Sequence, residues 1–280
     1  MSNQSQSNIK LAIQREYLKC AGDPVHFMRK YCTIQHPMRG KIKFDLYDYQ
    51  EGMLTDFKDN SYNVILKSRQ LGISTLTAGY ALWMMLFNAD KNVLVIAKDK
   101  DTAKNLVTKV RVMYHGLPAW LKVQLDEDNK LSLRFMNGSQ IKAVSATPEA
   151  GRSEALSLLI IDEAAFIMYI DDIWTAAQQT LATGGDCIAL STPNGVGNWF
   201  HKTWNDSIEK TNNFNSIKLH WSIHPERDQV WRDEQDRILG PTKAAQECLW
   251  ENSKITVRDI NTREIKEITL GELYGELYNG

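Results

Sequence analysis

Val64-Ile-Leu-Lys-Ser-Arg-Gln-Leu-Gly-Ile-Ser-Thr75 starts as an apolar strand and ends as a helix, with a short polar loop between. A helix that starts there turns its unpaired N–H groups, and the positive end of its dipole, toward whatever the loop encloses. The phosphate-cradling pattern for such a loop is GxxxxGK[ST]. Laid on that pattern, Gly72 takes the second glycine and Ser74 the hydroxyl that holds Mg²⁺. Lys67 stands where the first glycine belongs, and Ile73 where the lysine belongs. The cation must then come from Lys67 at the strand end or from Arg69 inside the loop. Either can place positive charge on the β- or γ-phosphate, where transition-state charge accumulates. The same stretch also reads as an ordinary strand-to-helix turn with two solvated cations.

Outward from the loop, apolar runs alternate with helical stretches. Residues 63–66, 92–97, 158–161, 187–190 and 214–219 read as strands. Residues 74–87, 101–114 and 171–181 read as helices, and polar helices follow up to Glu247. Residues 131–135 and 140–144 read as a hairpin about Asn137-Gly138, a strong turn dipeptide. Upstream, Asp23-Pro24 opens a helix with proline in its first turn. His36-Pro37 and Gly40 break it, and a strand through Ile42, Phe44 and Leu46 follows. Strands that are apolar throughout and alternate with helices predict an α/β fold with a parallel sheet covered on both faces.

Leu158-Leu-Ile-Ile-Asp-Glu-Ala-Ala165 ends a buried strand directly in two carboxylates. In such sheets ligands sit at the carboxyl ends of the strands. Asp162 would face the metal held by Ser74, and Glu163 would orient and deprotonate a water beside the γ-phosphate. The plainer reading is a solvated helix start, where acids are favoured. Leu190-Ser-Thr-Pro-Asn-Gly195 closes another strand, with hydroxyls on Ser191 and Thr192 and a tight turn at Pro193. The amide of Gln50 suits an adenine edge, and Tyr47 or Tyr49 could stack on the base. Arg152, in a loop before the acidic strand, could touch DNA or reach a neighbouring subunit.

Composition narrows the class. The chain has 280 residues, 43% hydrophobic and 24% charged, with 33 Lys+Arg against 34 Asp+Glu. That excludes wholesale disorder, collagen and coiled coil. A net charge of -1 excludes a uniformly basic nucleic-acid coat but allows a basic patch. The four cysteines form no CxxC pair, and the six histidines show no metal-ligand spacing. No apolar run reaches the roughly 18 residues needed to span a bilayer, and the start lacks a signal peptide. A soluble intracellular protein is expected.

The run DYQ…KSRQLGIST…LLIIDEAAF…LSTPNG, over roughly residues 25–247, resembles the ATPase half of the large terminase subunit of tailed bacteriophages, the DNA-packaging motor. The resemblance implies a P-loop NTPase-type sheet flanked by helices, with ATP and Mg²⁺ as ligands. It implies adenine recognition by Tyr49 and Gln50, and a nucleotide loop from Ser68 to Thr75 that includes Gln70, Gly72 and Ser74. It makes Asp162 the Mg²⁺ ligand and Glu163 the catalytic carboxylate. Ser191, Thr192 and Pro193 become the element coupling hydrolysis to DNA movement, and Arg69 matches a loop arginine proposed as an arginine finger. Ile73 departs from the commoner pattern, and some terminases carry the lysine where Lys67 stands. Implied partners are double-stranded DNA, a small terminase subunit, a portal, and a homo-oligomeric ring in the host cytoplasm, with no membrane. A DExx-type helicase ATPase is the alternative within enzymes, without a second helicase half. A degenerate module that binds ATP without turnover is another.

The last stretch differs in character. Residues 254–258 and 263–270 alternate like strands about Asn261-Thr262. From Cys248 onward the chain is similar to the beginning of an intein, which starts at a Cys. In that chemistry the thiolate attacks the preceding carbonyl, here that of Glu247, to give a thioester. The TxxH element and a terminal His-Asn are missing. The expected organisation is therefore an N-terminal helical region over 1–60, an ATPase domain over 61–247 and an intein-like fragment over 248–280. On that reading the chain is a split-intein precursor, inactive until a partner chain supplies the rest, or a truncated fragment. It would carry no nuclease domain. The plain alternative is a buried thiol followed by a terminal β-hairpin.

Overall fold

The computed structural model describes residues 3–36, 38–151, 155–248, 254–258, 263 and 265–269. In chain order the N-terminal part gives α1 (Asn3–Gly22), α2 (Pro24–Tyr31), β1 (Thr33–His36), β2 (Gly40–Lys43) and α3 (Asp48–Asp59). Next come β3 (Tyr62–Lys67), α4 (Ile73–Phe87), β4 (Asn92–Ala97), α5 (Lys100–Gly116), β5 (Leu125–Asn129), β6 (Ser132–Phe135) and β7 (Gln140–Ser145). The chain continues through β8 (Leu158–Asp162), α6 (Ile170–Leu181), β9 (Asp186–Ser191), α7 (Trp199–Ile208) and β10 (Asn215–Leu219). It ends in α8 (Gln229–Leu239), α9 (Pro241–Cys248), β11 (Lys254–Arg258) and β12 (Ile265–Thr269).

Eight strands form the central sheet in the order β10-β3-β9-β8-β4-β7-β6-β5. Pairing is parallel from β10 through β7, and antiparallel across β7-β6 and β6-β5. The five residues of β8 are all buried, as a strand covered on both faces requires. One apolar layer gathers Phe27, Leu54, Leu76, Leu82 and Val110 from α2–α5. The other gathers Ile173, Leu181, Trp199 and Phe200 from α6 and α7.

Local chemistry sets the helix starts. The Asp23 carboxylate caps α2 by accepting from the Val25 N–H at 2.8 Å, and Pro24 fills the first turn. Asp99 caps α5 through the Thr102 N–H at 2.7 Å. Glu16 fastens α1 to α2, its Oε1 accepting from His26 at 2.7 Å, Lys30 at 2.8 Å and the Tyr31 hydroxyl at 2.9 Å.

Four expectations change. The helix from Pro24 stops at Tyr31, short of His36-Pro37, because Thr33–His36 pairs with Gly40–Lys43 as a strand. The strand through Ile42, Phe44 and Leu46 stops at Lys43, because its partner is only the four-residue β1. Phe44 and Leu46 are buried in the core without being strand. Helix α7 was not foreseen; it buries Trp199 and Phe200 at its start and Thr203 and Ser207 further along. Strand β5 was not foreseen either, because Leu-Asp-Glu-Asp-Asn is an exposed acidic edge with no apolar alternation. The tail strands pair antiparallel as β11 and β12; their expected turn at Asn261-Thr262 lies outside the described residues.

Candidate functional site

Three carboxyl strand ends meet at the site. Strand β9 lies between β3 and β8, so the turn at Ser191–Pro193 sits between the loop after β3 and the acidic pair after β8. The loop's first two amides are used by the protein. Ser68 N–H donates to the Leu219 carbonyl at 2.9 Å, and Arg69 N–H to the Glu247 carbonyl at 2.8 Å. The chain then turns left-handed at Gln70 (φ 60°) and Gly72 (φ 77°). Among the described residues the N–H groups of residues 70–74 have no protein acceptor, and Thr75 N–H returns to the Gly72 carbonyl at 3.0 Å. Consecutive free amides of this kind make an anion-receptive concavity.

Helix α3 braces the loop from behind. The Tyr49 hydroxyl and the Gln50 amide both donate to the Leu71 carbonyl, at 2.9 and 3.0 Å. Gln50 is buried, and its Oε1 accepts from Tyr47 N–H at 3.2 Å. Its amide is thus engaged with the loop rather than presented to a base. The rings of Tyr47 and Tyr49 stack at 5.6 Å with an interplanar angle of 11°. Gly72 is doubly constrained: a Cβ there would meet Gln50 Nε2 at 2.8 Å.

Asp162 ends β8, buried, its Oδ1 accepting from Glu163 N–H at 3.0 Å, with the Ser74 hydroxyl near enough to favour the ionised form. Burial pushes its carboxyl above the usual range, opposed by the charge of Lys67. Glu163 adopts a left-handed backbone at φ 54°. Its Oε1 accepts from Lys67 Nζ at 3.0 Å. Its Oε2 accepts from Thr192 N–H at 3.4 Å and from the Ser191 hydroxyl at 3.5 Å. Lys67 is 6% exposed and contacts the carboxylate directly. The Arg69 side chain is largely exposed and pairs with Glu247 at 3.3 Å. A serine hydroxyl and an aspartate carboxylate close together at a strand end are oxygen ligands that suit a hard cation such as Mg²⁺.

Four residues of the site escaped the sequence reading. Arg227 donates to the carbonyls of Arg69 (3.0 Å) and Gln70 (3.1 Å) from 158 and 157 residues away. Gln246 donates to the Pro193 carbonyl at 2.7 Å. Glu247 takes Arg69 N–H on its carbonyl and the Arg69 guanidinium on its carboxylate. Lys109 on α5 interacts electrostatically with Asp162 and Lys67, and burial lowers its pKa. No local motif marks them. Arg152 lies outside the described residues. Cys248, the last residue of α9, is buried, and burial pushes its thiol up, away from the thiolate.

Fold and site together define a parallel α/β domain with an anion-receptive loop set against an acidic strand end. Residues 64–259 match the family described as Terminase large subunit, T4likevirus-type, N-terminal, and the chain belongs to that family. The match continues through Cys248, so it gives an intein boundary there no support. The ATPase domain of the Thermus Phage P74-26 large terminase is similar with a TM-score of 0.59 at 23% identity, over 73% of this chain and 93% of that one. The HK97 bacteriophage large terminase gives 0.59 at 18%, over 81% of this chain and 47% of that one. A large terminase from a thermophilic bacteriophage, in complex with ADP, gives 0.60 at 13%, over 73% and 53%. The same terminase is also known with ATP-gamma-S. At these identities the likeness establishes the fold. The chain spans about half the length of the latter two proteins. No helix among the described residues is long and apolar enough to cross a membrane.

Proposed function

We propose that this chain is an ATP hydrolase of the DNA-packaging motor, moving double-stranded DNA into a phage procapsid in the host cytoplasm. It would act in a homo-oligomeric ring with a small terminase subunit and a portal. The observation that carries the reading is the Glu163 carboxylate, held between Lys67 on one side and Ser191 and Thr192 on the other. The amides of residues 70–74 bind the phosphates. Lys67 leaves Glu163 for phosphate oxygens, which frees the carboxylate to orient a water and take its proton. Ser74 and Asp162 would hold Mg²⁺, which when bound neutralises phosphate charge. The stacked rings of Tyr47 and Tyr49 form the adenine side, Gln50 holds the loop at Leu71 behind it, and Gln70 and Thr75 complete the loop. Arg69, largely exposed, would leave Glu247 to reach a neighbouring subunit's nucleotide. Ser191, Thr192 and Pro193 pass the change at Glu163 toward the DNA-gripping surface.

The test is Mg²⁺-dependent ATP turnover of the full chain beside Glu163→Gln and Lys67→Ala, with and without double-stranded DNA. Each variant is expected to lose about 100-fold or more, the scale of losing a general base or a transition-state cation. Turnover that survives both substitutions sinks the assignment. ATP bound without turnover by the parent would favour the degenerate module instead.

A second reading of the tail is a split-intein precursor, for which the β11–β12 pair would supply the first strands as readily as a plain terminal hairpin. Cys248 would attack the Glu247 carbonyl, its proton passing to the released amine as the thioester forms. Mixing the chain with one bearing the remaining intein strands should give a ligated product by mass. An unligated mixture rejects the reading.

A further inference from the structure

In a trans peptide the C=O of one residue and the N–H of the next point in opposite directions. Whatever holds a run of carbonyls on one side of the loop therefore aims the following amides at the other. Three consecutive carbonyls are held here. The Leu71 carbonyl is taken by Tyr49 and Gln50 from α3. The carbonyls of Arg69 and Gln70 are both taken by one nitrogen of Arg227, at 3.0 and 3.1 Å. The peptides so fixed carry the N–H groups of Gln70, Leu71 and Gly72, which are among those without a protein acceptor.

Arg227 is itself built in. Its guanidinium lies 4.3 Å from the ring centroid of Trp231, and its other terminal nitrogen is 3.5 Å from the Ser68 hydroxyl. Burial lowers its pKa, yet an arginine stays charged under any working condition. Gln70 at φ 60° needs such support, because a non-glycine residue does not rest there unaided.

We infer that Arg227 is the positioning residue of the phosphate site: it fixes the outer carbonyls of the loop so that the amides of residues 70 and 71 converge on the anion. This rests on reading the loop as the nucleotide site. Arg227 touches the loop's carbonyl side and is not itself a phosphate ligand. The fork matters and not only the charge, since one terminal nitrogen holds both carbonyls while the other reaches the Ser68 hydroxyl.

The test uses the full chain with Arg227→Gln and Arg227→Lys. Backbone 15N order parameters of residues 70–72 are followed without nucleotide, where both variants should fall to those of a flexible loop, below about 0.6. Pyrophosphate and ADP titrations should weaken at least about tenfold in both. KM for ATP should rise by a similar factor, with kcat changed less than about threefold. Unchanged order parameters overturn the inference. So does full rescue by lysine, which would make Arg227 a plain electrostatic attractor. A fall in kcat at constant KM also overturns it. Order parameters need no ligand, so an inactive parent defeats the ATPase reading and leaves the clamp to be judged on the loop backbone.

Discussion

Glu163 and Gln70 sit at φ 54° and 60°, where a non-glycine backbone costs about 1–3 kcal/mol. Both are anchored: Glu163 by Lys67 and Thr192, Gln70 by Arg227 through its carbonyl. Gly72 has no such latitude, since a methyl group would meet both a positive φ and the Gln50 amide. Gly72→Ala should destabilise the chain by about 1–3 kcal/mol in urea melts, the scale of enforced backbone strain, and weaken ADP binding. Unchanged values for both would place the loop elsewhere. Asp162 predicts the opposite sign. Burial raises its folded pKa, so the ionised form is the disfavoured one and its cost is felt as pH rises through that value. Asp162→Asn should therefore raise Tm at neutral pH without nucleotide while abolishing Mg²⁺-dependent turnover. A lower Tm would mean that the attraction of the Lys67 charge outweighs desolvation.

At the scale of elements, the Glu16 cluster joins α1 to α2. Hydrogen bonds from Lys30 and then His26 pull the Glu16 carboxyl down to about 2 from 4.5. Its folded pKa is depressed, so its stabilisation is present above about 4.5 and is lost as pH falls toward 2. Melts of the parent and Glu16→Gln should converge at low pH and diverge above 5, and parallel curves would discard the staple. The elements legible in the sequence were those with a period or an unbroken apolar run, such as β4, β8 and α4. Helix α7 hid because its aromatics follow glycines and a turn. Strand β5 hid because its residues face solvent. The site divides in the same way. The loop and the acidic pair were legible because strand, turn and charge are adjacent in the chain. Arg227, Gln246 and Glu247 were not, because their partners lie far away in sequence and no side-chain type signals a bond to a remote carbonyl. The engagement of Gln50 with Leu71 was hidden for the same reason.

For the whole molecule, strand order decides what can communicate. Placing β9 between β3 and β8 lets one carboxylate touch the loop lysine and the Ser191–Thr192 turn together. Ser191→Ala removes the bond to Glu163 and the acceptor of Ala165 N–H, itself at 3.2 Å. It should cost stability by about 1 kcal/mol or somewhat more for the orphaned amide. It should also lower DNA-stimulated turnover more than basal turnover, and an equal loss in both would remove the coupling role. Helix α9 adds a mechanical condition. Two successive residues on it are tied to different moving parts, Gln246 to the Pro193 carbonyl and Glu247 to the backbone of Arg69. A helix is stiff over so short a span. If the loop advances and the turn stays, one of those bonds must break or the helix must tilt about the other. Any chain that continues beyond α9 is then steered by the difference between the two displacements and not by either one alone.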